Sequence, residues 1–151
     1  MIDEVSLRIE ASAERCYDLV ADITQMGRLS PECTGGRWMG GARGPAVGVK
    51  FLGTNRRGWV RWFTVSRVVA ADRGKEFAFE TRDSGTRWGY RFVSDGNATV
   101  VTESREGFKD RPAIARTFSK LFLGGVAPHD QEMVDGMAAT LARLKAVAET
   151  P

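Results

Sequence analysis

Two hydrophobic periods divide this chain, and their order constrains the fold. From Val47 to Arg105 apolar and polar residues alternate with the strand period of two. From Gln131 to Ala148 the apolar positions Val134, Met137, Leu141, Leu144 and Ala148 recur in steps of three and four. Short strands followed by one amphipathic helix predict a curved antiparallel sheet with the helix laid on its apolar face. Asp130, just before the helical run, is the expected N-cap. One helix does not cover so broad a face tightly, so space between helix and sheet is expected, and any function is expected there.

The preceding segments extend this pattern. Val5, Leu7 and Ile9 alternate with Ser6, Arg8 and Glu10 and read as a first strand. Ser12 opens a helix carrying Cys16, Leu19 and Val20. A shorter helical piece follows Asp22, includes Ile23 and Met26, is weakened by Gly27 and ends before Pro31. Thr34 to Gly48 holds six glycines and one proline, which predicts a short strand around Trp38 and then a loop. Asp110 before Pro112 predicts a third helix through Ile114, Phe118, Leu121 and Phe122, ended by Gly124-Gly125. The Asp110–Gly125 segment and the Gly35–Gly48 loop are the expected mobile parts around a groove mouth.

Turn chemistry sets which strand residues face each other. With Asn55-Arg56-Arg57-Gly58 as a loop, Phe51 faces Trp62. With Ala71-Asp72-Arg73-Gly74 as the next, Ser66 faces Phe79. A third loop at Asp83-Ser84-Gly85-Thr86 puts Phe79 opposite Tyr90. A turn at Gly96-Asn97 puts Tyr90 opposite Glu103 and Phe92 opposite Val101. All four registers place the aromatics, Thr64, Ser66, Thr81 and Glu103 on one face and mainly arginines on the other. Phe63, Val65 and Val69 break the pattern, and a bulge in the fourth strand would account for them.

Composition excludes several classes. The chain has 151 residues, is 42% hydrophobic and 27% charged, and is read as a single domain over 1–151. Its net charge of +3 is spread over scattered arginines, with Arg56-Arg57 in a turn, so no nucleic acid is expected as partner. One histidine, His129, and two distant cysteines make a poor ligand set, so no metal and no other cofactor is expected. Cys16 reads as a core residue and Cys33 as a loop residue; a disulfide between them stays open. No signal segment and no membrane span are visible, which predicts a cytoplasmic protein, monomer or homodimer.

Glu103 is the sharpest candidate for chemistry. The registers make it the only carboxylate on the aromatic face, beside Tyr90. A carboxyl in an apolar cavity has a raised pKa and can act as general acid or base. The plainer alternative is a structural hydrogen bond to Tyr90 or to an arginine. Tyr90, Thr64, Ser66 and Thr81 are able to orient a polar ligand end or simply pair across strands. His129 reads as a capping-region residue rather than a proton shuttle. Trp62, Trp88, Phe51, Phe77, Phe79 and Phe92 line a pocket or form solid core.

The segments IEASAERCYDLVADITQMGRLSPECTGGRW, VGVKFLGTNRRG, RWGYRF and TVVTESRE, with the terminal helix, resemble the START-related helix-grip superfamily (SRPBCC). Within it, the chain is similar to the polyketide cyclase/dehydrase and lipid transport branch. The resemblance covers essentially the whole chain. It implies an α+β helix-grip fold: a seven-stranded curved antiparallel sheet around a long C-terminal helix, with two small helices after strand one. It also implies a cavity for a small hydrophobic ligand. Its expected lining is Phe51, Trp62, Thr64, Ser66, Phe77, Phe79 and Thr81, then Trp88, Phe92, Val101, Phe118, Met137 and Leu141, with Glu103 and Tyr90 as the catalytic candidates. Binding or transport of a lipid, polyketide or aromatic ligand is the leading expectation. A cofactor-independent polyketide aromatase/cyclase is the alternative, and a co-chaperone-like module is least favoured.

Overall fold

The computed structural model describes residues 2–108 and 126–151. Seven antiparallel strands form one sheet: β1 (Ile2–Ile9), β2 (Cys33–Trp38), β3 (Lys50–Arg57), β4 (Val60–Asp72), β5 (Glu76–Thr81), β6 (Thr86–Asp95) and β7 (Ala98–Gly107). Their order is β1-β7-β6-β5-β4-β3-β2. β2 to β7 form a meander, and β1 closes on β7. The strands that follow each other first, β1 and β2, therefore occupy opposite edges. The chain between them must cross the sheet, and it does so as α1 (Ala13–Ala21) and a 3-10 helix (Ile23–Arg28). Ser12 caps α1 by accepting from Arg15 N–H, and Asp22 caps the 3-10 helix through Thr24 N–H.

The long helix α2 runs Val126–Ala148. It starts more than a turn before the expected Asp130 cap, so His129 and Asp130 lie inside it. Pro128 in its first turn explains the earlier start, because a proline there gives up only an N–H that has no intrahelical partner. Met137, Leu141, Leu144 and Ala148 are its buried stripe. Arg15 of α1 donates to the Ala148 and Thr150 carbonyls, at 2.7 and 2.8 Å, satisfying the helix C-terminus. The expected Asp110–Gly125 helix, with Phe118, lies outside the described residues.

Three of the four expected registers are corrected. Phe51 faces Ser66, because the β3–β4 turn is only Gly58-Trp59, with Gly58 at φ 62° as in a type II′ turn. Ser66 faces Thr81, and Phe79 faces Trp88. Every slip is even, so no side chain changes face. The Gly96-Asn97 turn and the Tyr90–Glu103 pairing stand as expected. The bulge in β4 falls at Val69, between Val68 and Ala70, and explains that residue alone. Phe63 remains 69% exposed on the outer face.

Gly27 has a role that helix propensity does not reveal. A Cβ there would sit 2.4 Å from the Thr34 carbonyl oxygen, so the 3-10 helix lies directly against the β2 backbone. Gly27→Ala is expected to cost about 2 kcal/mol through this forced separation, a loss measurable by urea unfolding. An unchanged midpoint would show that the helix can withdraw freely.

Candidate functional site

A cavity of about 1220 Å³ lies between the inner face of the sheet, the 3-10 helix and α2. Its wall combines the apolar Phe51, Trp62, Phe79, Trp88 and Met137 with polar and charged residues such as Asn55, Arg57, Asp83, Asp135 and Thr140. Ten of the side chains expected in it are there: Glu103, Tyr90, Phe51, Trp62, Thr64, Ser66, Phe79, Thr81, Trp88 and Met137.

Phe77, Phe92, Val101 and Leu141 are not in the wall. They are buried in the packed core. The cause is Tyr17 of α1, whose ring meets Phe77 at 6.2 Å and Phe92 at 5.8 Å, both edge-on. A connected string of rings then runs Phe77–Phe79 (5.9 Å), Phe79–Phe51 (5.1 Å) and Phe51–Trp38 (5.7 Å). Phe79 and Phe51 belong to both regions, so this string is the border between solid core and cavity.

The polar pole is the pair Tyr90–Glu103, set opposite each other by the β6–β7 register. The Tyr90 hydroxyl donates to Glu103 Oε1 at 2.7 Å. Glu103 is 3% exposed, and among the described residues its Oε2 has no hydrogen-bond partner. Burial pushes the carboxyl from its ordinary 4.5 up to about 8, opposed only by the Tyr90 bond. Burial and the neighbouring carboxyl hold Tyr90 well above the usual phenol range. At neutral pH the pair is therefore a neutral acid and a neutral phenol. Its proton-bearing carboxyl oxygen is available as a hydrogen-bond donor.

Glu103 is not the sole carboxylate on this face. Asp3 of β1 lies opposite Arg105, two residues along β7, and their side chains pair at 2.7 Å. Arg105 borders the cavity and Asp3 occupies its guanidinium, so the Glu103 carboxyl keeps its desolvated character. Asp3 lies before the Val5–Leu7–Ile9 alternation, and only the pairing of β1 with β7 brings it to this face.

Other polar groups in the wall are quieter. Ser66 and Thr81 bond each other at 2.7 Å. Thr64 lies opposite Gly53, where a Cβ would come 3.2 Å from its hydroxyl. Asn55, expected in a loop, is an inner-face residue of β3 opposite Trp62, and its buried Nδ2 has no partner among the described residues. Cys33 borders the cavity as a free thiol pushed up by burial, and Cys16 is free in the core, so no disulfide joins them. Among the described residues no three His, Cys, Asp or Glu side chains converge as a metal site.

Comparison with known proteins agrees with this architecture. Residues 4–149 match the family described as polyketide cyclase / dehydrase and lipid transport. The Polyketide_cyc-like protein Cgl2372 from Corynebacterium glutamicum is 31% identical, with a TM-score of 0.55 over 99% of this chain and 85% of its own. CV1439 from Chromobacterium violaceum is 14% identical with a TM-score of 0.72, covering 100% and 99% of the two chains. The di-domain ARO/CYC StfQ from the steffimycin biosynthetic pathway matches at 13% identity and a TM-score of 0.75; 98% of this chain covers 50% of that one. At these lower identities the likeness is one of fold. No curated protein sequence matches the chain significantly.

Proposed function

The chain belongs to the polyketide cyclase / dehydrase and lipid transport family, and from that premise we propose that it binds a small hydrophobic ligand in the cavity, with the Tyr90–Glu103 pair as its polar anchor. The observation that carries this reading is a buried carboxyl beside the aromatic wall, with one oxygen bonded and the other without a partner among the described residues. Leaving such a group unsatisfied costs about 1–3 kcal/mol, which a ligand acceptor recovers by taking its proton in a hydrogen bond. The anchor therefore selects a ligand with a carbonyl or hydroxyl oxygen on an otherwise apolar or aromatic skeleton. Phe51, Trp62, Phe79, Trp88 and Met137 supply the apolar contacts, and Thr64, Ser66 and Thr81 the secondary polar ones.

The same pair supports a second reading, a cofactor-independent cyclase or dehydratase. A neutral acid poised near pH 8 is matched to proton transfer at physiological pH. It would protonate a hydroxyl that leaves as water, and the carboxylate so formed would take the proton from the neighbouring carbon as the double bond forms, while the cavity holds the substrate folded. Tyr90 would keep the carboxyl in place.

One variant separates the two readings. Native mass spectrometry of the purified protein should show a co-purified apolar molecule, and Glu103→Gln should bind it within about threefold if the protein is a carrier. If it is an enzyme acting on that molecule, Glu103→Gln should lose about 10²–10⁴-fold in turnover with binding retained. Full occupancy and turnover in a Glu103→Leu protein would remove Glu103 from both readings.

A further inference from the structure

The outer face of the β3–β4 ribbon is built unlike the rest of the sheet. Reading along its rungs, Lys50 faces Arg67, Leu52 faces Val65, Thr54 faces Phe63 and Arg56 faces Arg61. Two rungs thus set like charges directly opposite, an arrangement that destabilises a sheet. Arg37 of β2 adds another cation opposite Leu52. Glu80 lies opposite Arg67 and is shared with Arg87 on β6, and Glu32 lies beside Arg56, whose backbone N–H donates to the Glu32 carbonyl at 2.8 Å. Elsewhere on this face the cations are matched. Arg91 pairs with Glu4 at 2.7 Å, and Arg87 lies between Glu80 and Glu106.

Large apolar side chains sit on this like-charged hairpin. Trp59, at the turn, is 84% exposed, and Phe63, four residues further along the hairpin opposite Thr54, is 69% exposed. A single exposed apolar residue needs no explanation, but two aromatics on one cationic hairpin are a surface with a purpose. Arg56, Arg57 and Gly58 of the same hairpin also border the cavity, so the tip stands at its edge.

We propose that the β3–β4 hairpin docks on an anionic lipid bilayer, with Trp59 and Phe63 inserted at headgroup level and Arg37, Arg56 and Arg61 against the lipid phosphates. Tryptophan is favoured at that depth because its ring is amphipathic. Each basic side chain held near an anionic leaflet adds roughly 1 kcal/mol, which sets the expected sensitivity to single charges. The cross-strand repulsion between Arg56 and Arg61 is relieved when lipid phosphates lie over them. A docked tip places the cavity edge at the membrane, where an apolar ligand can pass without crossing water. Single-stranded nucleic acid would also meet cations and aromatics, but it would gain nothing from the adjoining apolar cavity.

The test is co-sedimentation of the full chain with vesicles of phosphatidylcholine alone and with about a third phosphatidylglycerol. The protein should partition onto the anionic vesicles and be released by high salt. Trp59→Ser/Phe63→Ser and, separately, Arg56→Gln/Arg61→Gln should each weaken partitioning at least about tenfold. The altered residues are exposed, and an unchanged thermal midpoint checks that each protein is folded; Trp59→Ala alone serves if the double variant is not. Failure of the wild type to bind anionic vesicles would overturn the proposal. So would equal binding by the variants, or capture of a single-stranded oligonucleotide through the same residues in place of vesicles. Ligand content is not measured, so this result is independent of the cavity reading.

Discussion

At about pH 9 the Glu103→Gln protein is expected to be more stable than the wild type by roughly 5 kcal/mol, an advantage that disappears near pH 4. The sign follows from the burial of the carboxyl. In the unfolded chain it titrates at its ordinary 4.5, and in the folded protein at about 8. Between those values the native state keeps a proton that the unfolded state has lost, so stability falls as pH rises and levels off above about 8. The slope is about 1.4 kcal/mol per pH unit, which over this window gives the figure stated. Below 4.5 both states are protonated, and the buried group exacts no charge penalty. Glutamine has the same shape, donates from its NH₂ and does not titrate. Groups such as Asp18, whose carboxyl is held low by Arg73, tilt the profile of both proteins alike. The difference between the two proteins is therefore the readout, taken from urea unfolding across the pH range. A constant difference would mean that Glu103 is ionised and hydrated when folded. That result would remove the neutral donor on which both functional readings depend.

Why the sequence revealed the inner face but not its registers has a physical explanation. Alternation with period two decides the face, and any even slip preserves it. Phe51 was expected opposite Trp62 and lies opposite Ser66, yet all three still face inward. The register depends instead on turn length, and that was legible only where the turn chemistry was unambiguous. Gly96-Asn97 closes a two-residue turn with Gly96 at φ 64°, and it sets Tyr90 against Glu103 as expected. Asn55-Arg56-Arg57-Gly58 looked like a loop by composition. Only Gly58 needs the unusual conformation, so β3 continues through Asn55, which becomes a wall residue.

The division between wall and core was not legible for a different reason. Phe77, Phe79 and Trp88 carry the same strand signal, because periodicity reports the face and not what lies above it. What lies above Phe77 and Phe92 is Tyr17, delivered by a helix that crosses from one sheet edge to the other. That crossing is a consequence of β1 pairing with β7, a contact between the two ends of the sheet segment that no local pattern encodes. The Asp3–Arg105 pair depends on the same closure.

A paired substitution turns this division into energies. Phe77 is fully buried, with ring neighbours on two sides, so Phe77→Ala should cost about 3–5 kcal/mol of unfolding free energy. Trp88 is half-buried and faces the cavity, so part of its surface already lacks partner atoms. Its truncation forfeits fewer contacts, and Trp88→Ala should cost about 1–2 kcal/mol despite removing the larger side chain. Binding of an apolar fluorescent dye should order the variants the opposite way. The folded fraction of Phe77→Ala should take up dye as the wild type does, because the core residue does not touch the cavity. Trp88→Ala, with an enlarged and less aromatic wall, should change the dye affinity several-fold. Equal stability costs with unchanged dye binding would mean that the wall closes over Trp88 in solution and that the sheet and α2 hold no usable cavity. The order expected here follows from one geometric fact, that Tyr17 fills the space over Phe77 and Phe92 and leaves the space over Trp88 open.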